Sequence, residues 1–279
     1  MTTQPNLTLN DGRIMPQMGA GIWQIDDDAT ADVVAQALRL GYRLIDGAAA
    51  YKNEAGMGRG IRDSGVARDE VFVTSKLWND AQGFDAALRA FDATMDRCGL
   101  DHLDLYLIHW PLPALDAYVE TWKALIRLRD EGRVKSIGTA NFHEPHLRRL
   151  IDETGIAPAV NQIELHPSLT QEGLRAVNRQ LGVVTQSWTP LGRGDSFDAP
   201  AIRDAAARMG CSVAQVILRW HIQHGLSVIP KSENPERLAE NLAALELELT
   251  PDEMAAIDAL DRGHRTGPDP DEFDYRQPL

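Results

Sequence analysis

Short hydrophobic runs recur along this chain, and each closes on a polar residue able to do chemistry. YRLID ends at Asp46, VFVTSK at Lys76, VKSIGTAN at Asn141 and AVNQ at Gln162; LYLIHW carries His109, VVTQSW ends at Trp188 and SVIPK at Lys231. Between the runs lie stretches with apolar residues at helical spacing, such as ATADVVAQALRLG and FDAALRAFDATMDRCG. Runs this short and this continuously apolar predict parallel strands buried on both faces. With MGAGIW as the first strand and LSVIPK as the eighth, strand and helix alternate eight times over about 250 residues, the arithmetic of a (β/α)8 TIM barrel. Ahead of them, LTLNDGRIM predicts a β-hairpin turning at Asn10-Asp11-Gly12 and capping the barrel bottom. A doubly wound open sheet is the competing arrangement. The hairpin and the polar strand ends favour the barrel, because a barrel gathers its strand ends on the rim where active sites form.

No change of composition marks a domain boundary, so the expectation is one domain over residues 1–279, with an irregular tail, HRTGPDPDEFDYRQPL. A hydrophobic share of 43% and a charged share of 25% suit a soluble protein with a buried core. The net charge of -13 argues against general binding to nucleic acid or an anionic membrane, which needs a basic face. No apolar run approaches the ~20 residues of a membrane span, and the N-terminus lacks a signal pattern. A cytoplasmic monomer is expected. Cys98 and Cys211 stand far apart with no C-x-x-C, which argues against a disulfide framework or a thiolate zinc site.

Some motifs carry less than they suggest. Gly56-Met57-Gly58-Arg59-Gly60 lies inside a helix-like stretch instead of opening one after a strand, so it predicts close helix packing and no dinucleotide fingerprint. His143-Glu144-Pro145-His146 predicts a helix start, and no metal site is expected. Asp26-Asp27-Asp28 predicts capping of the following helix. His102, His166, His221, His224 and His264 have no partner legible in the sequence.

Asp46, Tyr51, Lys76 and His109 make a set only if the strand ends converge. A tyrosine hydroxyl, with an ordinary pKa near 10, is a poor acid at neutral pH; an ammonium beside it favours the phenolate and lowers that value. Lys76 supplies the ammonium, Asp46 its counter-charge, and His109 a hydrogen bond to orient a carbonyl. The set suits protonation of a carbonyl oxygen while a hydride reaches its carbon. A donor site is sought at SVIPKSENPERLAEN, where Lys231 and Ser232 precede a helix with Pro235 and Arg237 in its first turn. Helix N-termini bind phosphate through free N–H groups, and Arg237 offers a planar fork for phosphate or adenine. PLGRG, with Leu191 and Gly192, gives a second loop whose backbone can approach a pyrophosphate. Trp23, Trp78 and Trp110 follow strand ends and wall a substrate pocket; Trp122 and Trp220 lie in helical patterns and belong to the core.

GYRLIDGAAAYKNE, VFVTSKLWND, LDLYLIHWP, NQIELHP and VIPKSENPERLAEN together resemble the aldo-keto reductases, nearly end to end and in family order, closest in look to the bacterial 2,5-diketo-D-gluconic acid reductase branch. The resemblance implies an NADPH-dependent reduction of small-molecule carbonyls, reversible toward the alcohol with NADP⁺, without a Rossmann domain. It makes Tyr51 the general acid, Lys76 and Asp46 its tuners and His109 the substrate-orienting residue. It gives the nicotinamide carboxamide to Asn141 and Gln162, the ring to Trp188, the 2′-phosphate to Lys231, Ser232 and Arg237, and the adenine surroundings to Asn241. Because long loops after the Trp110 position help enclose bulky substrates in that family, the short connection PLPALDAY implies an open pocket.

Three positions depart from the family pattern. Gly47 stands where Thr is usual and Ala140 where Ser is usual, which predicts looser nicotinamide binding. Glu233 places an acid beside the phosphate site, which predicts a narrowed preference for NADPH and some use of NADH. The rival readings are a nucleotide-sensing protein with little turnover and a cofactor-free barrel lyase or isomerase. The Tyr51–Lys76–His109 set argues against the first, the phosphate-like site at Lys231 against the second.

Overall fold

A computed structural model describes residues 4–274. The first three residues and the last five of the tail lie outside the described residues. Strands β1 (Asn6–Thr8) and β2 (Ile14–Pro16) pair antiparallel around a turn in which Gly12 has φ 82°. The hairpin sits at the barrel bottom because its turn is tied there. Asp11 accepts a 2.6 Å bond from Ser136, and the Asn10 amide donates to the Pro158 carbonyl at 2.8 Å. Both partners stand at or just ahead of the N-terminal ends of strands.

The barrel strands follow in chain order: β3 (Ala20–Gly21), β4 (Leu44–Asp46), β5 (Phe72–Leu77), β6 (Leu103–Ile108), β7 (Val134–Ala140), β8 (Val160–Glu164), β9 (Val184–Trp188) and β10 (Ser227–Val228). Each pairs in parallel with the next. The ring closes between its two ends through parallel bridges Met18↔Val228 and Gly21↔Lys231. The Gly21 amide donates to Pro230 O at 3.1 Å across this seam. A Cβ on Gly21 would stand 3.0 Å from the Ile229 carbonyl, so the close approach favours glycine there.

Helices α1 (Asp27–Leu40), α2 (Glu54–Asp63), α3 (Phe84–Cys98), α4 (Tyr118–Asp130), α5 (Glu144–Thr154) and α6 (Glu172–Gln180) follow β3 to β8. Both α7 (Pro200–Met209) and α8 (Val213–Gln223) come before β10, and α9 (Pro235–Ala243) and α10 (Pro251–Asp258) after it. The helical spacing of ATADVVAQALRLG and FDAALRAFDATMDRCG is met by α1 and α3, and the helix starts expected at His143–His146 and Pro235 by α5 and α9. Trp122 and Trp220 are fully buried, as their helical spacing predicted. The glycines of α2 serve close packing: a Cβ at Gly58 would fall 1.7 Å from Cys98 O. One expectation needs correction. Asp26, the N-cap of α1, makes no side-chain capping bond; the carboxylate that matters is Asp27, which receives Gly56 N at 2.6 Å and Arg59 at 2.8 Å and so joins α1 to α2. No helix among the described residues is long and apolar enough to cross a membrane.

Candidate active site

Strand β4 delivers Asp46 to the rim, and a 3-10 turn at Ala49–Tyr51 folds the chain back so that the Tyr51 phenol returns over the strand ends. Lys76 comes from β5 and His109 from the end of β6. The Lys76 ammonium is wholly buried and fully engaged. It donates to Asp46 Oδ1 at 2.5 Å, to the Gly47 carbonyl at 2.9 Å and to the Tyr51 hydroxyl oxygen at 3.3 Å. The Tyr51 and His109 rings meet edge-on at 5.9 Å, and Trp78 packs on His109 at 5.2 Å. The four residues foreseen as a set therefore do converge.

Burial pushes the Tyr51 phenol upward, and the nearby Lys76 charge and hydrogen bond only offset part of that rise. The expectation that Lys76 lowers the phenol is right in sign for that pair but loses to burial. Burial alone would pull Lys76 down; Asp46 and Tyr51 outweigh it and hold the ammonium above its ordinary value. His109 lies well below the usual imidazole range, first because it is buried and second because Lys76 repels a second charge. It is neutral at physiological pH. Its Nδ1 is buried without a partner among the described residues.

The amides expected to face a nicotinamide are already woven into the rim. Gln162 donates both N–H groups, to Asp46 Oδ2 at 2.8 Å and to Gln186 Oε1 at 2.6 Å. Asn141, in a left-handed conformation at φ 64°, donates to His109 O at 3.0 Å and accepts from Trp188 Nε1 at 2.8 Å. Trp188 is thereby held beside the strand ends with part of its ring exposed.

At the far end of the site, Lys231, Ser232 and Arg237 cluster around the start of α9, with Asn241 buried on the same helix. The expected free N–H groups are not free. Asn234 Oδ1 accepts from Glu236 N at 2.8 Å and Arg237 N at 3.2 Å, because an asparagine at the N-cap satisfies those donors locally. The capped amides of Glu236 and Arg237 leave side chains as the donors at this helix start. Lys231 is bound at 2.6 Å to Glu233, while the exposed Arg237 makes no ion pair among the described residues. Beyond β9, Leu191 and Gly192 form a tight turn with Gly192 at φ 55°, and the Arg193 guanidinium lies 6.0 Å over the ring of Trp23.

Residues 15–262 match the Aldo/keto reductase family. The chain belongs to that family. It is 52% identical to an aldo-keto reductase of Mycolicibacterium smegmatis over 97% of this chain and 98% of the relative. It is 48% identical to the methylglyoxal reductase DkgA of Escherichia coli K12, over 96% and 97% of the two chains. Among solved structures, a mutant of Gox0644 in complex with NADPH superposes with a TM-score of 0.94 at 48% identity, covering 98% of this chain and all of the other.

In this aldo-keto reductase the tail supplies residues that the sequence did not single out. Buried Glu164, at the end of β8, accepts from Thr266 N at 2.6 Å, Thr266 Oγ1 at 2.7 Å and Gly267 N at 3.2 Å. Gly267 runs so close to Trp188 that a Cβ would stand 2.6 Å from its ring. Farther on, Asp271 is latched to α5. His143 Nε2 accepts from Arg265 at 3.2 Å, which leaves Nδ1–H to donate to Asp271 at 2.9 Å. His146 Nδ1 accepts from His143 N at 3.2 Å, which turns its Nε2–H toward the same carboxylate at 3.4 Å. The ligand-like atoms of His143, Asp269 and Asp271 lie within 4.8 Å of one another; the neighbouring Arg265 and these bonds account for them as a latch. Phe273 then lies on Trp110 at 4.3 Å between ring centroids. The open pocket predicted from the short PLPALDAY connection is corrected: the tail walls that side. Of the expected aromatic walls, Trp110 is 7% exposed under Phe273 and Trp23 is 40% exposed at the edge. Three of the five unassigned histidines gain hydrogen-bond partners: His166 bonds Glu164 and Ser168, His224 bonds Asp258, and His221 lies between the Ile217 and Leu165 carbonyls.

Proposed function

We propose that this single-domain protein reduces small aldehydes and ketones to alcohols, reversibly, with NADPH as the preferred hydride source. The observation that carries the reading is the buried chain Asp46–Lys76–Tyr51, at 2.5 Å and 3.3 Å, beside a neutral His109. The donor set fits a dinucleotide: an acceptor at Gln162 Oε1, a part-exposed indole at Trp188, and Lys231, Ser232 and Arg237 suited to a phosphate. When bound, the nucleotide supplies a hydride for the carbonyl carbon. The protein's own part is the proton. Lys76 donates to the phenol oxygen, so the phenol's hydrogen is left to the substrate, and the ammonium stabilises the oxygen from which it departs. His109 orients the carbonyl through Nε2. The relative from Escherichia coli is named a methylglyoxal reductase, which makes small dicarbonyls the first substrate class to try, ahead of sugar ketones and aryl aldehydes. The reading takes the protein as a cytoplasmic monomer. Loss of NADPH absorbance across such a carbonyl panel tests it; a flat signal with every carbonyl, by protein that binds NADPH, would refute it in favour of a nucleotide sensor.

A further inference from the structure

We propose that Gln186 is a positioning residue of this site, which sets the side-chain amide of Gln162 so that its N–H groups face Asp46 and the barrel interior while its oxygen is kept for the nicotinamide amide. The assignment rests on the functional reading above and adds a residue to it.

The argument starts from charge. Asp46 is paired with an ammonium through Oδ1, so its other oxygen can only accept. Gln162, 2.8 Å from that oxygen, must present its NH₂. The second N–H of the same NH₂ points at Gln186 Oε1, 2.6 Å away. Gln186 must in turn offer oxygen to Gln162, which leaves its own NH₂ for Ser227 Oγ at 2.9 Å. Each amide orientation follows from the one before it, and the carboxylate fixes the first. The row is built by strand register: Gln162 stands opposite Gln186, and Gln186 opposite Ser227, on β8, β9 and β10. Asp46, Gln162, Gln186 and Ser227 are 1%, 2%, 0% and 0% exposed, so water cannot replace a lost partner.

Gln186 touches neither the tetrad hydroxyl nor Lys76 in this row. It acts through Gln162. Without its oxygen, one Gln162 N–H loses its acceptor, and the amide gains a reason to rotate away from the ligand-accepting pose. A buried hydrogen bond of this kind is worth a loss of about 3- to 10-fold in affinity.

The test is a double-mutant cycle read by NADPH binding, from quenching of protein fluorescence, with no turnover involved. Gln186→Leu is expected to weaken NADPH about 3- to 10-fold in the natural background and less than about 2-fold when Gln162 is Met. Ser227→Ala, a mild change that removes only the anchor of Gln186, is expected to weaken it in the same sense; it carries the test if Gln186→Leu does not fold. Equal losses in both backgrounds, or unchanged affinity in the folded variants, would overturn the assignment. Wild-type protein that binds neither NADPH nor NADH would overturn the functional reading itself; wild-type binding with indifferent row variants overturns only the role of Gln186.

Discussion

Lys231 Nζ stands 2.6 Å from Glu233 Oε1, so the lysine proposed for a 2′-phosphate already has an anionic partner two residues away. Glu233 must give way, or share Lys231, when a phosphate arrives. The pair is exposed, at 34% and 50% of the two side chains, and such pairs are worth only about 0–1 kcal/mol. Glu233→Val should therefore tighten NADPH about 2- to 5-fold and leave NADH nearly unchanged. Parallel titrations with both nucleotides check this, and a constant ratio between them would count against it.

Tyr51→Phe removes the proposed proton donor but keeps the ring that packs on His109. Turnover should fall about 10²- to 10⁴-fold, with NADPH affinity within a factor of about two of the wild type. Single-turnover rates and equilibrium titrations separate the two effects, and a variant that keeps its rate would remove Tyr51 from the role of acid.

The pH dependence follows from the directions of the shifts. Reduction needs the protonated phenol, and burial holds the Tyr51 phenol above its ordinary value. The reductive rate should stay level through neutral pH and fall only in the alkaline range, while alcohol oxidation, which needs the phenolate, should rise with pH. Because His109 is depressed well below the usual imidazole range, neither profile should show an inflection between about pH 6 and 8 from that group. An inflection there that His109→Gln abolishes would contradict the assignment.

Gly47 is not simply a missing hydroxyl. A Cβ at this position would lie 2.8 Å from Met57 Sδ and 3.3 Å from Ile22 Cδ1, so Met57 fills the space a threonine would need. Gly47→Thr should cost about 1–3 kcal/mol of stability through overpacking, seen as a lower denaturation midpoint, and this strain masks any gain in binding. Ala140→Ser is the cleaner restoration. It should tighten NADPH by about 2- to 10-fold; an unaltered dissociation constant would show that the hydroxyl has no partner there.

Phe273 covers Trp110 from a tail held at Glu164 and Asp271. Phe273→Ala should raise KM for aryl carbonyls about 2- to 10-fold, from about 0.5–1.5 kcal/mol of lost contact, with little change in kcat for a three-carbon dicarbonyl. Equal effects on both substrates would mean that Phe273 supports the fold and does not touch the ligand.

The elements and the four catalytic candidates were legible because parallel strands are continuous apolar runs and because their polar last residues stand out against them. Gln186 was not. A polar residue inside VVTQSW looks the same whether it faces a barrel interior or a loop, and only the register opposite Gln162 and Ser227 reveals the row. Phe273 was hidden for a different reason. The Pro- and Asp-rich tail has no periodicity, so its course over the rim is set by Glu164 and the two histidines of α5, groups far away in the chain. The local capping by Asn234 illustrates a third case: Pro235 signalled the helix start, but the asparagine just before it, which spends the first donors, was not read as a cap.

The seam between Gly21 and Lys231 has a consequence for how the protein comes into being. Lys231, the lysine proposed for the nucleotide, follows directly on the last strand to be synthesised, and that segment bridges to Gly21 on one of the first. A nascent chain can lay down most of its staves on the ribosome yet own no finished hoop. Nucleotide capture and completion of the ring should then arrive together, as one late event in biosynthesis.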